Sequence, residues 1–132
     1  MVKTINIKSS KRIEFIDITE KINSIIMQSG IVEGACFISV PHTTAALTIN
    51  ENSDPDVLID ILNKTCKLIP QVEGYSHSEG NSDSHIKSSL FSPSHSLIIN
   101  ENKLLLGIWQ AVYFCEFDGP RNRHVYIKLI PG

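Results

Sequence analysis

The segment Leu104–Phe117 constrains the fold more than any other part of the chain. Written as an extended strand, it places Trp109, Ala111, Tyr113, Cys115 and Phe117 on one face. Ile108, Val112 and Phe114 share the other face with Gln110 and Glu116. Both faces are mostly apolar. A strand apolar on both sides has to be covered on both sides, which puts it at the centre of a sheet.

The rest of the chain supplies the neighbours. Val2–Lys8 and Arg12–Ile18 alternate with period two and read as strands, with Lys8-Ser9-Ser10-Lys11 as the hairpin turn between them. Thr19 is placed to cap a helix whose apolar side is Ile22, Ile25 and Ile26 and whose end is Gly30. Ala35–Val40 is a near-continuous apolar run, broken by Pro41, and Thr43–Ile49 follows as another strand. Asp54, Pro55 and Asp56 form a helix start, and Val57, Leu58, Ile61, Leu62, Cys66 and Ile69 continue it with a 3.6-residue stripe up to Pro70.

Gln71–Ser84 has no apolar period and reads as a polar loop. A short helix begins near Asp83 and is expected to turn Ile86 and Leu90 inward. Ser96–Ile99 and a last strand carrying Val125, Ile127 and Leu129 complete the pattern. The order of elements predicts a single α+β domain over residues 1–132, with one antiparallel-rich sheet of about seven strands and two to three helices packed on it.

Composition excludes several function classes. The chain has 132 residues, 42% of them hydrophobic, so it can build a core without staples. Twelve basic residues against fourteen acidic ones give a net charge of −2, which argues against a nucleic-acid surface. No stretch approaches the ~18–20 apolar residues of a membrane span. Cys36, Cys66 and Cys115 are odd in number and lack C-x-x-C spacing, so they read as buried thiols in a reduced, cytoplasmic protein.

Four segments carry possible chemistry. His77, Glu79, Asn81, Asp83 and His85 occupy every second position, and an extended backbone would line them along one edge as a metal-ligand or acid/base set. Gly80 permits a kink that would spoil the alternation. Pro41-His42-Thr43-Thr44 follows a buried strand, where a rigid scaffold delivers functional groups. If His42 joined His77 and His85, three imidazoles would match a zinc site with an open fourth position. In Asn50–Asp56, Asp54 and Asp56 are accounted for by capping, whereas Glu51 is not. In Glu116–Arg121, Arg121 sits in a turn from which it could clamp a phosphate.

Three longer motifs contain these residues. Pro41–Asn52 with Asp54–Val57, Tyr75–Leu90, and Leu106–Arg121 resemble three signatures of the YjbQ family, over nearly the whole chain. The chain departs from them at Ile108, at Ala111 and at Phe91-Ser92, which could reshape a pocket. The resemblance implies an α+β homotrimer, with a site that could be shared between subunits. It implies His42, His77 and His85 as metal or catalytic candidates, and Glu51, Asn52, Glu79, Asn81 and Asp83 as supporting groups. Thr43, Thr44, Lys87 and Arg121 are the implied phosphate-side residues, joined by Asn52 and Asn81 as substrate-binding amides. Among the three carboxylates, Glu51, Glu79 and Asp83 are the acid/base candidates. A divalent metal is expected: three histidines favour zinc, and diphosphate chemistry would favour magnesium.

The expected activity is that of a metal-dependent enzyme acting on phosphorylated small molecules. Thiamine-phosphate synthesis from an aminopyrimidine diphosphate and a thiazole phosphate is the case the resemblance implies. A zinc-dependent hydrolase of phosphate or acyl bonds, and a non-catalytic metal- or anion-binding module, are the alternatives.

Overall fold

A computed structural model describes the whole chain, Met1–Gly132. Eight strands and three helices alternate in the order β1 (Val2–Lys8), β2 (Glu14–Asp17), α1 (Thr19–Ser29), β3 (Gly34–Ser39), β4 (Ala45–Glu51), α2 (Pro55–Leu68), α3 (Ser82–Leu90), β5 (Ser94–Asn100), β6 (Lys103–Leu104), β7 (Gln110–Glu116) and β8 (Asn122–Pro131). The fold is α+β, and every strand pairing is antiparallel. The strands divide between two sheets rather than one: β1-β8-β3-β5-β6 and β2-β7-β4.

That division follows from β7. It is buried on both faces, as its composition demands, and it lies between β2 and β4. Val112 and Phe114 enter a 16-residue core that also draws on both sheets and α1, including Ile5, Ile22, Ile38, Leu47 and Val125. Ala111, Tyr113, Cys115 and Phe117 face a second cluster, covered by Phe15, Leu58 and Phe91. The apolar run is not one strand, however. Leu105–Trp109 leaves the sheet, with Ile108 94% and Trp109 62% exposed.

Lys8–Lys11 does not make a hairpin. β1 pairs with β8 and β2 with β7, so the connection crosses from one sheet to the other. It is held by Ser9 N–H donating to the Arg121 carbonyl at 3.0 Å, and by Ser10 and Lys11 N–H donating to the Glu14 carboxylate. Thr19 does not cap α1 with its side chain. Its hydroxyl oxygen instead accepts the Val112 N–H at 2.9 Å, tying the helix to β7. Gly30 ends α1 with φ 74°, as expected of a left-handed C-cap.

α2 starts as its sequence predicts, with the Asp54 carboxylate accepting the Asp56 N–H at 2.9 Å and Pro55 in the first turn. Its apolar stripe is only half-buried. α3 reverses the expected orientation. Asp83, Ser84, Lys87 and Ser88 face inward, and Ile86 and Leu90 face out. The inward polar face is satisfied by specific partners: Arg12 donates to both Asp83 carboxylate oxygens, Lys87 donates to Asp83 at 3.0 Å, and the Ser84 hydroxyl donates to the Phe117 carbonyl at 2.6 Å. Periodicity alone could not anticipate a helix docked through ion pairs. No helix of the chain is long and apolar enough to cross a membrane.

Candidate functional site

Three chain segments meet at one end of the sheets. Pro41–Thr44 forms the corner between β3 and β4. Ser88 Oγ donates to the Thr43 carbonyl at 2.6 Å, Phe117 N–H donates to the Thr44 carbonyl at 3.1 Å, and His124 N–H donates to His42 Nε2 at 2.9 Å. The Asp118–Arg121 turn is the second segment. Arg121 Nε donates to its carbonyl at Asp118 (2.7 Å), and Asp118 Oδ2 accepts both Arg121 Nη2 (3.0 Å) and Asn81 Nδ2 (2.8 Å). The third segment is the start of α3, which brings Asn81 and His85. Gly119 permits the close packing of the turn, since a Cβ there would run into the Lys11 carbonyl and the Ser9 hydroxyl.

Between these segments lies a cleft of about 360 Å³ with no hydrophobic lining residue. His42, Thr43, Thr44, His85, Arg121 and Arg123 line it, with Glu79, Asn81 and Asp118 at its acidic and amide side. Its floor is a buried network. Arg123, 5% exposed, donates through Nε to Glu116 Oε1 at 2.9 Å, through Nη2 to Glu116 Oε2, and through Nη2 to Thr44 Oγ1 at 2.9 Å. Ser9 Oγ donates to Glu116 at 2.6 Å and accepts Arg121 N–H at 2.9 Å. Thr44 Oγ1 accepts from Arg123, so its own hydroxyl proton is free to donate.

The electrostatics follow from these pairs. Arg121 is matched by Asp118 and Arg123 by Glu116. His42 is held below its ordinary range by burial, then by the positive charge of Arg123 and by His124, with Glu116 opposing. A neutral His42 that accepts at Nε2 carries its proton on Nδ1.

The alternation expected for residues 77–85 ends at Asn81, because Gly80 takes φ 81° and Ser82 begins a helix. Asp83 and His85 consequently part. Asp83, fully buried, is committed to Arg12 and Lys87, while His85 reaches the cleft. Lys87, 1% exposed, is likewise a core ion-pair member and does not line the cleft. Glu51 and Asn52 sit at the far end of β4, about 20 Å away by strand rise. There the Glu51 carbonyl accepts the Tyr113 hydroxyl and Asn52 N–H donates to the Trp109 carbonyl.

The imidazoles are arranged as pairs. The His77 and His85 rings meet edge-on at 5.4 Å between centroids, with Glu79 Oε1 3.9 Å from His77 Nε2. His42 and His124 stack at 6.1 Å. His42 Nε2 accepts the backbone N–H of His124. The three candidate imidazoles thus fall in two pairs, His77 with His85 and His42 with His124. Arg123 and Glu116 lie outside the sequence motifs' candidate set, yet the sequence marks Arg123: it shares the inward face of β8 with Val125 and Ile127, an unusual place for a cation.

A model of the family described as UPF0047 protein YjbQ-like matches residues 3–132. The chain belongs to the YjbQ family. A YjbQ-family relative from Methanocaldococcus jannaschii is 53% identical, over 94% of this chain and 90% of its own length. The UPF0047 protein YugU of Bacillus subtilis is 48% identical over 98% and 99%. Among solved structures, an uncharacterised YjbQ/UPF0047 protein from Clostridium acetobutylicum superposes with a TM-score of 0.94 at 48% identity, covering 97% of this chain and 99% of that one. A protein of unknown function from Sulfolobus solfataricus gives the same TM-score at 29% identity, covering 100% and 97%. The two-sheet architecture is thus that of the YjbQ family.

Proposed function

We propose that the polar cleft holds the phosphate of a phosphorylated small molecule, and that the protein is an enzyme acting on such substrates. The observation that carries this reading is the meeting of His42, Thr43, Thr44, His85 and Arg121 in a cleft with no hydrophobic lining residue. Arg121 offers a guanidinium fork, the Thr44 hydroxyl has a proton to give, and neutral His42 offers Nδ1–H. Donors fixed in advance by Asp118, Arg123 and His124 stabilise charge without reorganising.

The reaction favoured by family resemblance is thiamine-phosphate synthesis. The thiazole nitrogen forms a bond to the pyrimidine methylene carbon, the carbon–oxygen bond to diphosphate breaks, and diphosphate leaves with the electron pair. The cleft would receive that diphosphate. Its cations are already paired, so a divalent metal arriving with substrate belongs to this reading; zinc and magnesium are both to be tried, and no step is assigned to either. Self-association as a homotrimer and a cytoplasmic location complete the proposal. The second is supported by three free thiols.

The test is product formation by purified protein with zinc, with magnesium and with chelator, beside His42→Ala, His85→Ala and Arg121→Ala. Wild-type product well above all three variants supports the reading. Equal background in all four removes the synthase. Turnover of phosphate esters or thioesters without the pyrimidine substrate would favour hydrolysis, and phosphate binding with no turnover of any substrate would favour a binding module.

A further inference from the structure

The polar cleft has a neighbour on the other side of His85. A cavity of about 390 Å³ is lined by Tyr75, Ser76, His77, Ser82, His85 and Ile86. His85 lines both spaces. The geometry points to a ring subsite here: the ligand whose phosphate occupies the cleft carries an aromatic or heteroaromatic group that lodges among Tyr75, His77 and Ile86. This inference rests on the phosphate reading of the cleft.

The two cavities differ in chemistry. The cleft has no hydrophobic lining residue, whereas the second space is walled by Tyr75 and Ile86, two imidazoles and the small side chains of Ser76 and Ser82. Each volume is at the low end of the ~300–1,000 Å³ of small-molecule sites, so each suits one part of a ligand. Tyr75 is fixed as a wall and not as a polar contact. Its hydroxyl donates to the Pro70 carbonyl at 2.5 Å and lies 3.3 Å from the Glu73 carboxylate, which leaves the ring to face the space. Ile86 is 38% exposed on the outer face of α3, while that helix buries Asp83, Ser84 and Lys87. An apolar residue turned outward into a cavity beside an edge-on imidazole pair offers carbon surface and π-faces, the surroundings a planar ring prefers.

Titration calorimetry on the protein with inorganic phosphate, ethyl phosphate and phenyl phosphate tests this. Phenyl phosphate is expected to bind the wild type about fivefold tighter than ethyl phosphate, the size of one aromatic contact. Tyr75→Ala and Ile86→Ser are expected to bring the two esters within about twofold of each other. Ile86 is exposed, so its replacement tests the subsite even if Tyr75→Ala fails to fold. Wild-type protein that binds phosphate but does not distinguish the esters overturns the ring subsite, as does a preference that survives Ile86→Ser and any folded Tyr75→Ala. Failure of all three phosphates to bind overturns the cleft reading on which it rests.

Discussion

The ring of His42 accepts the backbone N–H of His124 at 2.9 Å, joining the β3–β4 corner to the edge of β8 through a side chain that lines the cleft. Burial disfavours the protonated ring, and the positive charge of Arg123 adds to that. The folded state therefore prefers the neutral ring.

The pH dependence follows from that preference. His42 binds its proton more weakly in the folded chain than its ordinary value of 6.5. Between the lowered folded value and 6.5 the unfolded chain holds more protons, so stability rises with pH through that window and is fully present above 6.5. Proton NMR should show the His42 ring titrating below 6.5. In His42→Gln, denaturation midpoints should lose the part of their pH slope that this ring supplies.

Asp83 carries the ionic docking of α3. Burial pushes its carboxyl up, but hydrogen bonds from Arg12 and Lys87 outweigh burial and hold it below 3.8. Asp83→Asn leaves the Lys87 ammonium buried without its carboxylate, and should cost about 3 kcal/mol or more in urea denaturation. The contribution of Asp83 is present above its unfolded value of 3.8 and disappears as pH falls through the depressed folded value.

Arg121 should behave in the opposite way. Its side chain is 54% exposed and paired on the surface with Asp118. Arg121→Ala should change stability by no more than about 1 kcal/mol. It should weaken phosphate binding about tenfold or more, the loss of a charge-assisted hydrogen bond of about 1.5–3 kcal/mol. Calorimetric titration and thermal melting of the same samples separate the two effects.

Ile108 and Trp109, 94% and 62% exposed, are expected to be covered in the proposed trimer. Sedimentation should give three times the 14.7 kDa chain mass. Ile108→Glu should shift the population toward single chains.

Much of the architecture was legible where one residue type has one physical use. Asp54-Pro55-Asp56 starts α2, Gly30 ends α1, and the two apolar faces of β7 place it inside. The local pattern misled where a distant partner decided the outcome. Ser9 bonds to Arg121 rather than forming a hairpin, Thr19 bonds to Val112 rather than capping, and α3 buries Asp83 because Arg12 and Lys87 both pair with it there. The candidate site divides in the same way. His42, Thr43, Thr44 and Arg121 lie in turns beside strand ends and do converge. Glu51 and Asn52 belong to the same motif as His42, but β4 carries them to the opposite end of the sheet.

Glu116 binds Ser9 from the start of the chain, Arg123 from near its end and, through Arg123, Thr44 from its first half. The anion-facing groups thus take their places only once both termini have docked. Occupancy of the cleft would accordingly be sensed by the first and last strands, whose amides should slow their exchange with solvent together when phosphate is added.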